Sequence, residues 1–226
     1  RNDGKSRHGT IPGLERLHNE FVTALQRGDT TKNLCFTCEI VRPLRSKHCS
    51  VRNVCVDKFD HFCPWMNNTI ARRNYFWFLA FLVFTIGTSI TYNRLAQEYL
   101  MHIQIPGDDS SEHSWWFAAR AYPGFALFTS HFLFYTLFSV VMLATHFGLL
   151  QNNLTTNESI NQWRYTYLST NEMSGDVINP FDRGSLFRNA RQVLKDRDRD
   201  TVDAVREVEN LWARHSGMHR GGATVV

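Results

Sequence analysis

Two uncharged apolar stretches constrain this chain more than any other feature. Residues 75–92, YFWFLAFLVFTIGTSITY, run for 18 residues without a charge, and residues 121–157 contain no Asp, Glu, Lys or Arg at all. A helix needs about 20 residues, at about 1.5 Å each, to cross about 30 Å of hydrocarbon, so both stretches can span a bilayer, the second even when tilted. Tyr75, Trp77 and Tyr92 stand where interfacial aromatic anchors belong, although a buried core helix is the competing reading of the first stretch. The mean hydropathy of −0.32 looks soluble, but it averages over segregated zones. A hydrophobic fraction of 43% excludes a wholly disordered chain, and a net charge of only +4 from mixed signs excludes a cationic nucleic-acid arm. The expectation is an α-helical membrane protein with transmembrane helices over 75–93 and 122–150, joined by a loop over 94–121. Ser130, His131, Thr145 and His146 lie inside the second span, where polar residues mark an interior face or bond between helices.

Two spans in series return the chain to the side it left. The intervening loop carries Arg94 and Arg120 against Glu98, Asp108, Asp109 and Glu112, whereas Arg72 and Arg73 flank the outside. Positive-inside bias therefore predicts a lumenal loop, with residues 33–74 and the tail 151–226 both in the cytosol.

Cysteine usage agrees with that compartment. All five cysteines, Cys35, Cys38, Cys49, Cys55 and Cys63, fall within 29 residues. A disulfide framework is usually spread over the domain it staples, so this clustering favours metal or thiol chemistry under reducing conditions. Residues 33–74 have little apolar periodicity and need a staple. Cys35-x2-Cys38 is a knuckle in which two thiolates can share one tetrahedral ion, and His48 with Cys49 or Cys55 completes a Cys3His set of the structural zinc type. Spacing leaves the choice between Cys49 and Cys55 open. Cys63 stands apart in Asp60-His61-Phe62-Cys63-Pro64-Trp65. A carboxylate, an imidazole and a thiol so close together can form a nucleophilic site, or His61 and Cys63 can be further zinc ligands.

The ends are plainer. Over residues 1–32, Leu14, Leu17, Phe21 and Leu25 form one apolar stripe closed by Gly28, which reads as an amphipathic linker helix. In the tail, the alternating charges of residues 195–200 and the recurrence of Val202, Val205, Val208 and Leu211 predict a solvated helix with one apolar face, and the final RGGATVV a frayed end. No internal repeat is evident. The chain begins with Arg1 and shows no signal peptide, so a piece of a longer protein is expected.

The run Cys35-x2-Cys38…Arg45-Ser-Lys-His48-Cys49…Cys55…Phe59-Asp60-His61-Phe62-Cys63-Pro64-Trp65 resembles the DHHC-type protein S-acyltransferases, or palmitoyltransferases. Thr155-Thr156-Asn157-Glu158 is similar to the TTxE motif of that family. Asn179-Pro180-Phe181-Asp182-Arg183-Gly184 is similar to its tail motif, so the resemblance covers roughly residues 33–190. The Arg42–His48 and Trp163–Tyr165 wording leans toward the ankyrin-repeat subclass, in which repeats and further spans precede this region. On that reading the two spans are the C-terminal half of a polytopic core.

The resemblance implies a function. Cys63 as thiolate takes the acyl group of a long-chain acyl-CoA, palmitoyl-CoA as donor, and passes it to cysteines of cytosolic or membrane-associated substrate proteins. His61 activates Cys63, and Asp60 orients His61. Thr156 is expected to hydrogen-bond near Asp60, and Asn179 to anchor the tail through backbone contacts. Acyl length would be read by residues between the spans such as Phe132 or Tyr135. An integral membrane protein of the endomembrane system, Golgi or ER, is implied.

The resemblance also implies two zinc ions. The first falls on Cys35, Cys38, His48 and Cys55, all present. The second falls on positions 49, 52, 62 and 69, which here are Cys49, Arg52, Phe62 and Thr69, so one ion is expected and the other lost. Phe62 is expected to fill the vacated volume and Arg52 to bond nearby carbonyls. The competing class is an acylation-impaired membrane adaptor that binds the same substrates. A third class, a nucleic-acid-binding zinc finger, fits poorly, because the metal module abuts a span and lacks a separate recognition helix.

Overall fold

The computed structural model describes residues 14–29, 33–102, 119–170 and 177–198. The chain divides into two compact units, Arg1–Phe76 with Gly148–Val226, and Trp77–Phe147. The expected tail helix over 202–211, the RGGATVV end and the acidic part of the inter-span loop lie outside the described residues.

Helix α1 (Leu14–Arg27) opens the first unit. Leu17, Phe21 and Ala24 are its buried face, whereas Leu25 is 49% exposed. Positions 17, 21 and 24 follow the 3.6-residue period, and Leu25 falls at the edge of that stripe. Gly28 closes the helix with φ of 61°, its N–H donating to Leu25 and the Asp29 N–H to Ala24, at 3.1 and 2.9 Å. The helix packs on the cysteine-rich module: Leu17 shares a core with Cys35, Ile40 and Cys55. The His18 Nδ1–H donates to the Glu39 carbonyl at 2.8 Å.

The cysteine-rich module is three antiparallel hairpins. They are β1 (Leu34–Cys35) with β2 (Ile40–Val41), β3 (Lys47–Cys49) with β4 (Val54–Val56), and β5 (His61–Cys63) with β6 (Asn68–Ile70). The registers Leu34↔Val41, His48↔Cys55 and Phe62↔Thr69 are equivalent, and each four-residue loop follows a cysteine, at 35, 49 or 63. Each loop ends on a residue of positive φ, Glu39 at 55°, Asn53 at 51° and Asn67 at 45°. These positions recur every fourteen residues. The expectation of no internal repeat is therefore corrected: the period is written in backbone conformation, while side chains between the cysteines diverge. Two of the three turn residues are Asn, which tolerates the left-handed region.

The tail closes over this module. After α3 (Pro123–Gln151) come α4 (Thr156–Ile160), the pair β7 (Ser169–Thr170) and β8 (Val177–Ile178), and α5 (Leu186–Asp198). Asn179 Nδ2 donates to the carbonyls of Asn152 and Asn153 at 2.8 and 2.9 Å, and its Oδ1 accepts the Phe181 N–H at 3.0 Å. One side chain thus ties residues 179–181 to the end of α3. Helix α5 is held by buried Asp196, which accepts from Lys58 at 3.0 Å and Arg72 at 3.3 Å. Burial opposes ionisation of Asp196, but Lys58 and Arg72 outweigh it and hold the carboxyl below its ordinary range.

The second unit is built from α2 (Tyr75–His102) and α3. Helix α2 runs on past residue 93, so Arg94 and Glu98 are helical rather than in the loop. Charge marks where a span leaves hydrocarbon, not where its hydrogen bonds stop. Phe78 meets His146 at 5.0 Å, Tyr92 stacks on Phe132 at 4.2 Å and Tyr99 meets Phe125 at 5.8 Å, so the helices pair antiparallel. Only 22% and 11% of their most apolar windows are buried, which is unlike the core helices of a soluble protein. Both are long and apolar enough to cross a membrane. The Thr145 hydroxyl bonds its own helix, donating to Val141 O at 2.9 Å, whereas His146 is buried in the pair.

Candidate metal centre and candidate active site

The first donor set is assembled from two hairpins. The β1–β2 hairpin supplies Cys35 from its strand and Cys38 from its loop, and the cross-strand pair His48↔Cys55 supplies the rest. His48 Nδ1 stands 3.6, 3.3 and 3.9 Å from the sulfurs of Cys35, Cys38 and Cys55. Tetrahedral zinc, with Zn–S of about 2.3 Å and Zn–N of about 2.0 Å, would set sulfur and nitrogen about 3.6 Å apart. The four donor atoms all lie within 4.8 Å of one another, so the residues present fit a metal ion. Cys55 rather than Cys49 is the fourth donor. Neighbours on a strand point to opposite faces, so Cys49 turns away from His48. Burial, reinforced by the adjoining thiols Cys35 and Cys38, pushes the Cys55 thiol far up, so taking up a metal there would release protons.

The repeat supplies a rule. The first set takes the cysteine of one hairpin and the residue three further on, plus the cross-strand pair of the next hairpin. Moved on by one hairpin, the rule gives Cys49 and Arg52, then Phe62 and Thr69. Cys49 Sγ and Thr69 Oγ1 lie 3.2 Å apart, and Phe62 packs against the core of Cys49, Val56, Phe59 and Ala71. Phe62 does fill volume there. Arg52 is exposed and makes no hydrogen bond among the described residues, so the expected bonds to nearby carbonyls are corrected. It sits on a loop whose chain turns outward to water, where a guanidinium stays hydrated. A thiol, a hydroxyl, a phenyl ring and an outward guanidinium do not fit a zinc ion. The second ion that the resemblance implies has no donor set here.

Moved on once more, the rule begins with Cys63 and Met66, and no fourth hairpin follows. Cys63 occupies the position of a knuckle cysteine but belongs to no group of metal donors among the described residues. It is buried, at 5% exposure, on β5. His61, two residues earlier on the same strand, points to the same face, and Phe62 to the other.

His61 Nδ1 lies 2.6 Å from Asp60 Oδ2. Asp60 is fully buried and also accepts from Thr156, its N–H on Oδ1 and its hydroxyl on Oδ2, both at 2.8 Å. An ionised carboxylate only accepts, so the His61 nitrogen that faces it, Nδ1, carries a proton.

Thr156 is held in turn by residues that sequence reading named only as motif letters. In α4 the Thr155 hydroxyl accepts the Glu158 N–H at 3.1 Å, and Glu158 Oε2 accepts the Thr155 N–H at 2.9 Å, a capping box. Glu158 also accepts two bonds from Arg45, Nε at 2.7 Å and Nη2 at 2.6 Å, and one from the Tyr167 hydroxyl at 3.0 Å. Burial opposes its charge, yet Arg45 holds the Glu158 carboxyl below the usual range. Arg45, in the cysteine-rich module, thereby clamps the tail helix that presents Thr156 to Asp60. A signal existed: a charged Glu right after 37 uncharged residues needs a cation, and Arg45 lies amid the motif.

A hairpin-borne set of Cys and His donors that fits a metal ion, a carboxylate–imidazole pair on the strand of a buried thiol, and two apolar helices point to one family. The chain belongs to the DHHC palmitoyltransferases, whose family model matches residues 29–163. Among individual relatives, it is 34% identical to palmitoyltransferase ZDHHC9 of Danio rerio over 71% of this chain and 38% of the relative. It is 31% identical to palmitoyltransferase ZDHHC14 of Mus musculus over 80% of this chain and 35% of the relative. It is 35% identical to palmitoyltransferase ZDHHC18-B of Danio rerio over 71% of this chain and 39% of the relative. The chain thus spans well under half the length of these curated relatives.

Proposed function

We propose that this chain carries the reacting centre of a protein S-acyltransferase, which moves a long-chain acyl group, palmitoyl foremost, from acyl-CoA to cysteines of substrate proteins. What supports it most is the bonded series Thr156–Asp60–His61, leading to a buried thiol outside any donor set. His61 Nε2 takes the proton of Cys63, and Asp60 stabilises the imidazolium through Nδ1–H. The Cys63 sulfur attacks the thioester carbonyl carbon, and the bond to the CoA sulfur breaks as His61 returns the proton to the leaving CoA. A substrate cysteine then repeats the exchange in reverse, giving its proton to His61 and taking the acyl carbon, and Cys63 leaves with a proton. Burial of Cys63 favours this order by keeping water from the acyl-enzyme.

Cys35, Cys38, His48 and Cys55 would hold one zinc ion, which supplies structural bracing. The acyl chain would lie against α2 and α3, with Phe132 and Tyr135 among the residues reading its length. The basic outer flanks favour a cytosolic module, and the family an endomembrane location.

Labelled palmitoyl-CoA added to the full-length protein tests the assignment. Wild type should acquire a hydroxylamine-labile label that Cys63→Ser lacks, and His61→Ala should slow labelling by about 100-fold or more. Equal absence of label from wild type and Cys63→Ser would instead make the chain a substrate-binding adaptor.

A further inference from the structure

Among the described residues, helix α5 has one packed face and one bare face. Asn189, Val193 and Asp196 recur at i, i+4 and i+7 and are 0%, 5% and 1% exposed. On the far side Phe187 is 78% and Leu194 46% exposed. Beside them run Arg188, Arg191 and Lys195, all exposed, which with Arg183 and Gln192 line a depression of about 430 Å³. At about 100° per residue the two apolar side chains fall within about 20° of each other, and the three cations fill a neighbouring arc of about 60°. None of these three cations makes an ion pair among the described residues, and Asp196 is turned inward to Lys58 and Arg72.

Bare apolar residues along one strip and cations without an acidic partner along the next, the Arg188 guanidinium donating only to the Arg183 carbonyl at 3.4 Å, are what a helix offers at a lipid–water boundary. The helix is also tied to the right place. Buried Asn189 Nδ2 donates to the carbonyl of Gln151, the last residue of the apolar helix α3, at 2.9 Å. We propose that α5 lies on the bilayer, with Arg188, Arg191 and Lys195 binding the headgroups of acidic phospholipids and Phe187 and Leu194 entering the acyl-chain boundary. The assignment rests on α2 and α3 being spans, not on acyl transfer, and a protein that transfers nothing would still show it.

The test places the photoreactive analogue benzoylphenylalanine at position 187 of the full-length protein in nanodiscs. Bilayers of phosphatidylcholine alone are compared with bilayers holding about 30 mol% phosphatidylserine. Phospholipid adducts should be about tenfold more abundant in the acidic bilayer, and Arg188→Glu/Arg191→Glu/Lys195→Glu should return them to the neutral level, with metal content unchanged as the check on folding. No adduct in either bilayer, or a yield indifferent to lipid charge and to the triple substitution, would overturn the assignment. So would suppression of the adduct by inorganic phosphate or CoA in the neutral bilayer, which would mark a soluble-phosphate site.

Discussion

The first and second hairpin junctions share backbone geometry and differ in what fills them. At the first, Cys35, Cys38, His48 and Cys55 converge as metal donors. At the second, Cys49 bonds Thr69 and Phe62 packs beside them. A hairpin pair can therefore be held by coordination or by a small packed core. The two braces differ in strength and in what they ask of the chain, since a metal concentrates its energy in four atoms whereas packing spreads it over neighbours. The second brace lies next to the strand of His61 and Cys63, which puts the weaker fastening beside the proposed reacting groups.

The largest break should come from metal removal. Chelation, or Cys38→Ser, should unfold the first junction at a cost of order 10 kcal/mol, seen as loss of the cooperative transition and release of one zinc per chain. Two tightly held zinc ions in wild type would defeat the comparison. The reverse experiment sharpens it: Arg52→Cys/Phe62→His/Thr69→Cys should raise the metal count from one to two, because the backbone register for the second set is already present.

Next in size, Arg45→Met leaves Glu158 buried without its counter-charge and should cost about 3–5 kcal/mol in denaturant unfolding. It should also change the pH response. Glu158 is held below its ordinary 4.5, so its contribution is present above that value and is lost as pH falls through the lower, folded value. Wild type should therefore weaken below about pH 4.5, and the variant should show a flatter acid limb. The smallest effect belongs to Thr69→Val, which removes the partner of the Cys49 thiol and should cost about 1 kcal/mol with metal content unchanged. A larger loss than that of Cys38→Ser would reverse the ranking of the two braces.

Much of this protein was legible in its residues. The spans followed from uncharged length, and the donor types followed from Cys and His spacing, because burying charge and binding soft metals are constraints on composition. The resemblance also named Asp60, His61, Cys63, Thr156 and Asn179. Tertiary structure decided the rest. Spacing left Cys49 and Cys55 open and the resemblance named Cys55, but the physical reason is strand facing, and the joining of Arg45 to Glu158 depended on a contact across 113 positions. The fourteen-residue repeat lies in dihedral angles at Glu39, Asn53 and Asn67, and the divergent side chains between the cysteines conceal it. Composition tells which groups must find partners. Only the folded backbone determines which partners they reach, because a hydrogen bond or a ligand bond is satisfied by distance and direction, whatever the order of the chain.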